Sequence, residues 1–440
     1  MKNNIIKRVM LFSGAVMLSS SMCLGADLDI TANGAVLIEP KTNTILYSKN
    51  AHKKLYPASI TKIITALIAA EELDDNTVIE HSEESLNNVP GDSSCIGIQA
   101  HSKYKKEEAL YGLLLASDNY IAYNLALSVS GNIPDFAAKM NAKAKELGAI
   151  DTHFANPHGY HDFNHYTTPY DMAEIAKGAF ANPEVAKIAG TRTHQVKLEG
   201  TDAYFTINNS SRLLKEETEF YNPNVVSCKT GFHDDARQTL VAKAQYGDLE
   251  LIAVVMKDSS PDQYVDINKL FAYGSENYAV EKTGDSYKLI NNTNSNWSKP
   301  YIDKALASAW YEETGKDYKD TMTVNELARL AQKLGVAHGQ KIMVSQITSL
   351  LGKGISKDVT KADVAIVANY IANEWGLNLK QYKGGDIPDT LNLNSEKQAA
   401  VSTVVKNELM GVDNKNNFNP SSEILREEVI TVLCKLESKM

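Results

Sequence analysis

The sequence is poor in cysteine and has no excess of positive charge. Of its four cysteines, Cys23 lies in the N-terminal leader described below, which leaves Cys95, Cys228 and Cys434. So small and odd a number excludes a disulfide framework, although it is compatible with a single Cys95–Cys228 bridge. The formal net charge is −9, and no long basic run is present. This charge argues against a nucleic-acid-binding protein.

Long apolar runs are also missing, except at the N-terminus. Basic residues within the first eight positions precede the mostly apolar residues 9–24, and Gly25-Ala26 follow. This order of basic, apolar and small residues predicts a signal peptide over residues 1–26. Serines and a glycine interrupt the apolar stretch, which favours cleavage over a membrane anchor. We therefore expect a secreted protein of the cell envelope, because no other stretch is long and apolar enough to cross a bilayer.

The most informative stretch that is present is Pro57-Ala58-Ser59-Ile60-Thr61-Lys62, with the apolar residues 63–70 behind it. Proline is tolerated before a helix or in its first turn, so a buried helix is expected to begin near Ser59. Residues three apart share a helix face, which places Ser59 beside Lys62. A lysine packed against an apolar helix is partly desolvated, which lowers its pKa. A neutral amine there could activate the serine as a nucleophile without a histidine.

Two further motifs fall at places where polar side chains can face a cleft. Ser117 and Asn119 lie between the helical runs Glu107–Ala116 and Tyr120–Val129, on a connection too short to be a free loop. Serine, aspartate and asparagine prefer such caps to helix interiors. Lys229-Thr230-Gly231 follows a β-rich run, so a cation and a hydroxyl are predicted at a strand edge.

Each of the two lysine motifs has a second copy in the sequence. Ser102-Lys103-Tyr104-Lys105 repeats the Ser-x-x-Lys spacing in a polar stretch, where we expect no buried helix behind it. Lys282-Thr283-Gly284 repeats the other motif, and we expect no strand before it. These contexts favour the pair Ser59 and Lys62 and the motif at 229–231.

The order of predicted elements indicates an α/β (α+β) fold. Residues 34–48 read as a hairpin, several helical runs follow, and residues 225–256 read as a meander of three strands. A closing helix is predicted over Ile267–Tyr278. This pattern is typical of an antiparallel sheet flanked by helices.

The sequence pattern changes at the polar run Asn291–Asn296. We expect a catalytic domain over residues 27–285, a linker over 286–296 and an all-α repeat domain over 297–440. Three segments of the last part share an apolar residue, a short polar stretch ending in an acid, and an apolar helix: Met322–Leu330, Val359–Val367 and Ile424–Val432. Such internal repeats predict stacked helical modules with a shared core.

A histidine-rich stretch, Asn156–Tyr166, contains His158, His161 and His165. Their spacing matches no standard zinc pattern. We therefore interpret the stretch as a polar loop, and we expect no metal and no cofactor.

The motifs Ser59-x-x-Lys62, Ser117-x-Asn119 and Lys229-Thr230-Gly231 occur together, in this order, in β-lactamases and penicillin-binding proteins. Over about residues 30–280 the chain resembles the D-alanyl-D-alanine carboxypeptidases, the low-molecular-weight penicillin-binding proteins. Further stretches carry this resemblance: Gly34–Lys49, Leu55–Ser59, Leu113–Asn119, Asn156–Gly159 and Thr168–Asp171. The resemblance implies the β-lactamase/DD-peptidase fold and accounts for the histidine-rich stretch as a family feature.

The resemblance also implies catalytic roles. Ser59 would attack the carbonyl between the two terminal D-alanines of a peptidoglycan stem peptide, and Lys62 would accept its proton. Ser117 would relay a proton to the leaving D-alanine, and Asn119 would orient Lys62 and hold the substrate amide. β-Lactam antibiotics would acylate Ser59 by the same route.

The Lys229-Thr230-Gly231 motif implies a substrate-binding strand. Lys229 would act electrostatically on Ser117, Thr230 would bind the terminal carboxylate, and the N–H groups of Ser59 and Phe232 would hold the oxyanion. An arginine that the family often carries after the last core strand is missing from Asp258–Tyr264. Arg237 is a candidate to supply that charge.

The C-terminal part has a resemblance of its own. Gly411–Glu428 resembles an S-layer homology domain, and Asn296–Tyr301 resembles the start of one. Such domains attach proteins to cell-wall polysaccharide, which implies an anchor in the wall of a Gram-positive-type bacterium. The usual Thr-Arg-Ala-Glu signature is degenerate, as Leu425–Glu428, Thr360–Asp363 and Thr323–Glu326. An inert helical spacer is the alternative.

The resemblance favours a hydrolase, a serine-type D-Ala-D-Ala carboxypeptidase, over three alternatives. A class A β-lactamase needs a Glu-x-x-x-Asn segment, which is absent between Ser117 and Lys229. A peptidoglycan DD-endopeptidase would use the same residues. A catalytically silent surface-layer protein would not need to keep every motif residue.

Overall fold

The computed structural model describes residues 28–284, 286–313, 315–385 and 387–440, so the predicted signal peptide lies outside the described residues. The strands are β1 Gly34–Glu39, β2 Thr44–Lys49, β3 Val78–Glu80, β4 Lys103–Lys105, β5 Thr193–Lys197, β6 Tyr204–Asn208, β7 Val225–His233, β8 Arg237–Tyr246, β9 Leu249–Asp258, β10 Tyr278–Thr283 and β11 Ser286–Asn291. The helices up to β11 are α1 Lys62–Glu72, α2 Glu83–Asn88, α3 Lys106–Leu114, α4 Asn119–Ser130, α5 Ile133–Glu146, α6 Pro169–Ala181, α7 Pro183–Ala189 and α8 Asp262–Asn277. Those beyond β11 are α9 Lys299–Ala307, α10 Val324–Ala337, α11 Val344–Leu351, α12 Lys361–Glu374, α13 Ser395–Lys406 and α14 Arg426–Glu437. Short 3-10 helices span Ala58–Thr61, Arg212–Leu214 and Pro388–Thr390.

Five antiparallel strands form the main sheet, in the order β2-β1-β9-β8-β7. Both faces of this sheet are buried. Along β1, Val36 and Ile38 enter the core beneath the helices α1 and α6, whereas Ala35 and Leu37 enter the core on the other face, beneath α8. This is the two-residue period of a strand with helices on both sides. The predicted antiparallel sheet flanked by helices is therefore confirmed.

Helix α1 is the central helix of the larger core. All residues from Lys62 to Ala69 are buried, and α3, α4, α5, α6 and α7 pack around the helix. The 3-10 turn Ala58–Thr61 leads directly into it. The predicted buried helix behind Ser59 is thus confirmed, and β7, the edge strand of the main sheet, packs against the same 3-10 turn.

The cysteines are all free in the described part of the chain. Cys95 is exposed, whereas Cys228 and Cys434 are buried, so the Cys95–Cys228 bridge that the sequence allowed is not formed. Within the same residues, no helix combines the length and apolar character that crossing a membrane requires.

Each of the three similar segments leads into a helix, α10, α12 or α14, and these three helices form a closed ring. The first residue of each donates its backbone N–H to a carbonyl just before another helix of the set: Val324 to Lys357 at 2.9 Å, Lys361 to Ser422 at 2.9 Å and Arg426 to Asp320 at 2.8 Å. A separate hydrophobic core fills the space between these helices. The C-terminal region is therefore helical, as predicted, and each segment is held by the other two.

The predicted linker over residues 286–296 differs from the structure. Its first part is strand β11, which pairs with β10 across the predicted boundary. At the end of the strand, Asn291 Nδ2 donates to the carbonyl of Lys316 at 2.8 Å, and further on Ser295 N donates to Glu427 at 2.7 Å. Two residues of the polar run that predicted a linker therefore make hydrogen bonds to the helical region.

Candidate active site

Ser59 and Lys62 lie side by side at the start of α1. Lys62 Nζ is 2.9 Å from Ser59 Oγ, and the lysine side chain is fully buried. The backbone of Ala58 has a φ of 51°, a conformation that few non-glycine residues adopt. The turn before the helix therefore directs the serine hydroxyl towards the amine of the next turn.

The surroundings of Lys62 favour its neutral form. Burial lowers its pKa well below the ordinary value, and the nearby charge of Lys229 lowers it further, whereas Asp118 opposes the shift. Lys62 Nζ also lies 2.6 Å from Asn119 Oδ1 and 2.6 Å from the carbonyl oxygen of His158. A neutral amine has two N–H donors and one lone pair. If the donors serve these two oxygens, the lone pair is left for the hydroxyl proton of Ser59.

The connection between α3 and α4 carries Ser117 and Asn119 into the same cleft. Ser117 has a φ of 63°, and Asp118 caps α4 by accepting from Ile121 N at 2.9 Å. A second oxygen of Asp118 accepts from Ile96 N at 2.8 Å, which fixes the turn from the other side. The capping carboxylate thus points away from the cleft, while its two neighbours point into it.

Lys229 faces Ser117 from strand β7. Its Nζ lies 3.0 Å from Ser117 Oγ and 2.8 Å from the carbonyl of Thr230. The side chain is almost completely buried, and burial lowers the pKa of Lys229 to about 7. The serine of the second motif is therefore in contact with a cation whose charge depends on pH near neutrality.

Gly231 allows strand β7 to approach Ser59. A Cβ at this position would lie 2.4 Å from Thr239 Oγ1 and 2.8 Å from the backbone nitrogen of Ser59. Thr239 in turn donates to the carbonyl of Pro57 at 2.8 Å. The backbone of Phe232 follows directly, so the two N–H groups expected to hold the oxyanion belong to segments in contact.

Two polar partners in the site were missed by the sequence reasoning. Ser210 Oγ lies 2.6 Å from Thr230 Oγ1, so a pair of hydroxyls faces the cleft beside the strand. The carbonyl of His158, which contacts Lys62, comes from the Asn156–Gly159 stretch. Ser210 follows two asparagines and carries no motif, whereas Asn156–Gly159 was recognised only as a family feature.

Arg237, the candidate for the missing charge, lies at the turn between β7 and β8. It pairs with His233, while Thr230 pairs with Leu240, three residues further along β8. At about 3.3 Å per residue this separation is about 10 Å along the strand. Arg237 lines a cavity with Phe232 and Lys257, and this cavity does not include Thr230.

The structural contexts expected for the second copies of the two lysine motifs were wrong. Lys282-Thr283-Gly284 does follow a strand, β10, and helix α3 does begin directly after Ser102–Lys105. The β10–β11 hairpin turn is exposed, and Lys103 and Lys105 point to solvent from a strand. The second copies differ from the motifs of the site in that they lie away from the cleft, not in their local secondary structure.

The three loop histidines do not converge on one another. His165 Nε2 lies 2.8 Å from Thr61 Oγ1, and its Nδ1 accepts from Ala155 N at 3.1 Å. His158 Nδ1 accepts from Tyr160 N at 3.1 Å. Burial lowers the pKa of His165 to about 3, so its ring is neutral and serves as a structural hydrogen-bonding group.

The sequence profile of the D-alanyl-D-alanine carboxypeptidase family, peptidase family S11, matches residues 21–260. D-alanyl-D-alanine carboxypeptidase DacF of Bacillus subtilis is 35% identical over 256 residues, which cover 58% of this chain and 64% of DacF. A D-alanyl-D-alanine endopeptidase of Escherichia coli is 26% identical over 263 residues, 57% of this chain and 82% of that protein. The crystal structure of the Streptomyces K15 DD-transpeptidase matches with a TM-score of 0.52 and 27% identity, over 56% of this chain and 97% of that structure.

The profile covers more than half of the chain, and its match includes every motif residue described above. The fold and the convergence of Ser59, Lys62, Ser117 and Lys229 agree with it. The chain therefore belongs to the D-alanyl-D-alanine carboxypeptidase family, a family of serine peptidases.

Proposed function

We propose that this chain is a secreted serine-type D-Ala-D-Ala carboxypeptidase that removes the terminal D-alanine from peptidoglycan stem peptides. The observation that carries the proposal is the buried amine of Lys62, 2.9 Å from Ser59 Oγ and held by two oxygen acceptors. An amine kept neutral by burial can act as a general base near neutral pH.

In the first half of the reaction, Ser59 Oγ attacks the carbonyl carbon of the penultimate D-alanine while its proton passes to Lys62 Nζ. The oxyanion is held by the N–H groups of Ser59 and Phe232. Ser117, in contact with Lys229, passes a proton to the leaving amine and takes one in return from the Lys62 ammonium, so Lys62 is neutral again when the peptide C–N bond has broken. The products of this half are an ester on Ser59 and free D-alanine.

In the second half, a water molecule attacks the ester carbonyl and gives up its proton to Lys62. The shortened peptide leaves with a new carboxylate, and Ser59 recovers its proton. The hydroxyls of Thr230 and Ser210, 2.6 Å apart, offer donors for the terminal carboxylate of the substrate. β-Lactams would acylate the same serine.

The direct test is release of D-alanine from a pentapeptide ending in D-Ala-D-Ala, by the wild-type protein and by Ser59→Ala. Release by the wild type alone supports the proposal. Acylation of Ser59 by a fluorescent penicillin, measured in parallel, reports whether the nucleophile is active. Labelling without D-alanine release would contradict a carboxypeptidase, and the absence of both would indicate a silent protein.

A DD-endopeptidase is the second candidate, because one relative of this chain carries that name. It would use the same nucleophile on the cross-link between two stem peptides. Cleavage of a purified cross-linked muropeptide dimer, with no release from the pentapeptide, would favour it over the carboxypeptidase.

We further propose that the helical C-terminal region binds cell-wall polysaccharide and so anchors the enzyme in the envelope. A groove of about 290 Å³ lies between the segments of the ring and is lined by Trp297, Lys361 and Lys435 together with amide and acidic side chains. Trp297 is half exposed there. An exposed aromatic face flanked by charged and amide groups suits a polar sugar chain with acidic substituents.

The anchor is tested with the full-length protein, its active site first blocked with penicillin. We expect it to sediment with purified walls, and to stay in solution with walls stripped of their polysaccharide. Trp297→Ala and Lys361→Ala should weaken binding, whereas Lys341→Ala, an exposed lysine outside the groove, should not. Equal binding to intact and stripped walls would contradict the proposed anchor and indicate that the helical region is an inert spacer.

A further inference from the structure

His161, His233 and Asp235 lie together beside the active site, although they come from two separate segments. His161 belongs to the loop between α5 and α6, whereas His233 ends β7 and Asp235 lies in the following turn. One ligand atom from each lies within 4.8 Å of the others, which makes them the metal-compatible trio within the described residues. Because His161 lies 72 residues before His233, no spacing in the sequence indicates this group.

The ring of His161 is poorly satisfied by hydrogen bonds. His161 Nδ1 is buried without a partner among the described residues, and its Nε2 reaches only Asp235 Oδ2, at 3.6 Å. That separation is too long for a normal hydrogen bond. A buried ring nitrogen without a partner is unusual in a folded protein, so the arrangement calls for an additional ligand.

Neighbouring aromatic rings hold His161 in position. Tyr56 meets it edge to face with ring centroids 4.8 Å apart, and Phe163 does so at 5.1 Å. The ring of His233 lies 5.2 Å away at a steep angle, so that the two imidazoles do not stack. The nitrogen atoms of the two rings therefore lie within 4.8 Å of each other and of an Asp235 oxygen, close enough for one ion to draw them together.

We propose that His161, His233 and Asp235 form a zinc(II) site that joins the loop over residues 156–166 to the turn after β7. Two imidazoles and one carboxylate are a ligand set that zinc prefers, with water in the fourth position. Calcium and magnesium prefer oxygen ligands, so the two histidines disfavour them. A tetrahedral zinc ion needs ligand atoms about 3.3 Å apart, so the trio must contract slightly from its present spread.

The position of Asp235 makes this contraction feasible. Its side chain is 62% exposed, and among the described residues it makes no hydrogen bond or ion pair other than the one with His161, so it can rotate towards the ion. His233 has to change more, because its Nδ1 accepts a hydrogen bond from Ala236 N at 3.1 Å. A neutral imidazole has one lone pair, so His233 binds zinc by giving up this bond to the turn.

A metal at this place would connect two walls of the active site. The loop supplies the carbonyl of His158 to Lys62, and its Gly159 packs against the carbonyl of Ala58, so that a Cβ there would lie only 1.9 Å away. The other side of the site is the end of the strand that carries Phe232. Zinc would therefore hold the base and the proposed oxyanion donor in a fixed relative position.

The test titrates untagged, EDTA-treated full-length protein with zinc chloride and follows the heat of binding and the thermal midpoint. We expect one equivalent of zinc to bind and to raise the midpoint, since an ion that binds only the folded state stabilises it. Asp235→Asn and His233→Gln should each weaken binding by at least about 10-fold. Cobalt(II) should give the visible absorption of a tetrahedral site in the wild type and not in these two variants.

Two matched variants separate this site from chance binding. Asp234→Asn changes the neighbouring exposed carboxylate, and His101→Gln removes an exposed histidine that lies beside Glu80 and Glu83. Both should bind zinc as the wild type does. The proposal is overturned if the wild type binds no zinc, or if Asp235→Asn and His233→Gln bind it unchanged while His101→Gln does not.

Discussion

At the level of single residues, the site depends on two buried lysines close enough to influence each other. The charge of Lys229 lowers the pKa of Lys62, and burial lowers the pKa values of both. Because two adjacent buried ammonium groups repel each other, one amine should be neutral when the other is charged. Burial acts on both lysines, and the charge of Lys229 acts on Lys62 in addition, so we assign the neutral state to Lys62, beside Ser59, and the charged state to Lys229, beside Ser117.

This assignment predicts the pH dependence of acylation. Because the pKa of Lys229 is lowered to about 7, its charge is present below that pH and is lost as the pH rises through it. We expect the rate constant of penicillin acylation to fall on the alkaline side with an apparent pKa of about 7. Lys229→Gln should be slower by at least about 10²-fold and should lack this limb. Lys145→Gln, an exposed lysine on α5, should retain it, and a limb that persists in Lys229→Gln would refute the assignment.

A second residue-scale prediction concerns the buried carboxyl pair Asp258 and Asp266. Asp258 accepts from Thr31 Oγ1 at 2.9 Å, Asp266 accepts from Thr31 N at 2.7 Å, and each keeps one oxygen without a partner among the described residues. Burial, reinforced by Asp266, raises the pKa of Asp258 to about 6. The folded protein therefore favours protonated Asp258, and the stability that this proton contributes is lost as the pH rises from about 4 to about 6.

Asp258→Asn keeps the shape of the protonated carboxyl group and cannot ionise. We expect it to be more stable than the wild type by about 1–3 kcal/mol at pH 7.5, and nearly equal to it at pH 4.5. Urea unfolding at the two pH values measures the difference. A variant that is equally destabilised at both pH values would show that Asp258 is ionised in the folded protein already at pH 4.5.

At the level of elements, the site is made by three segments that meet at one point: the turn before α1, the α3–α4 connection and the edge strand β7. Packing of β7 against the Ser59 turn requires Gly231, since a Cβ would meet Thr239 Oγ1 and the backbone nitrogen of Ser59. Of these two obstacles, the hydroxyl of Thr239 can rotate, whereas the backbone nitrogen cannot move without displacing the nucleophile.

Gly231→Ala should therefore strongly lower the rate of acylation and have a smaller effect on the thermal midpoint. We expect the rate to fall by about 10²-fold or more, the loss typical of one oxyanion donor. Gly91→Ala is the matched control, because a Cβ there has open space and the backbone is not strained. Penicillin acylation and the thermal midpoint are measured for both variants. Unchanged acylation in Gly231→Ala would mean that the strand and the nucleophile are further apart than described.

The sequence predicts the parts of this arrangement that depend on local interactions, and it does not predict those that depend on contacts between distant residues. Helix α1 was predictable because the apolar run behind Ser59 is a local signal. Ser210 and the carbonyl of His158 were not, because only tertiary packing brings them to the cleft. The β11 strand was missed because its neighbouring asparagines and serines resemble a solvated linker, although they pair with distant groups.

At the level of the whole molecule, the catalytic and helical regions are joined by more than a flexible connection. Tyr278 Oη, at the start of β10, donates to the carbonyl of Gly315 at 2.8 Å. Beyond β11, the buried carboxylate of Glu427 in α14 accepts from Ser295 N at 2.7 Å and from Ser298 Oγ at 2.7 Å. The segment before α9 is thus hydrogen-bonded to α14, the helix that closes the ring of segments.

The last prediction concerns this closure. Glu427→Ala leaves the buried donors of Ser295 and Ser298 without their acceptor, so we expect the helical region to lose about 2 kcal/mol or more of stability. Thermal unfolding and limited proteolysis between residues 291 and 298 measure the effect, and Glu423→Ala, an exposed glutamate without side-chain hydrogen bonds among those described, is the control. Penicillin acylation of Ser59 should be unchanged, because the fastening lies outside the cleft. If Glu427→Ala has the thermal midpoint and the protease resistance of the wild type, the segment before α9 is not needed to close the ring. If Glu427→Ala loses acylation, the catalytic and helical regions are coupled through the segment that connects them.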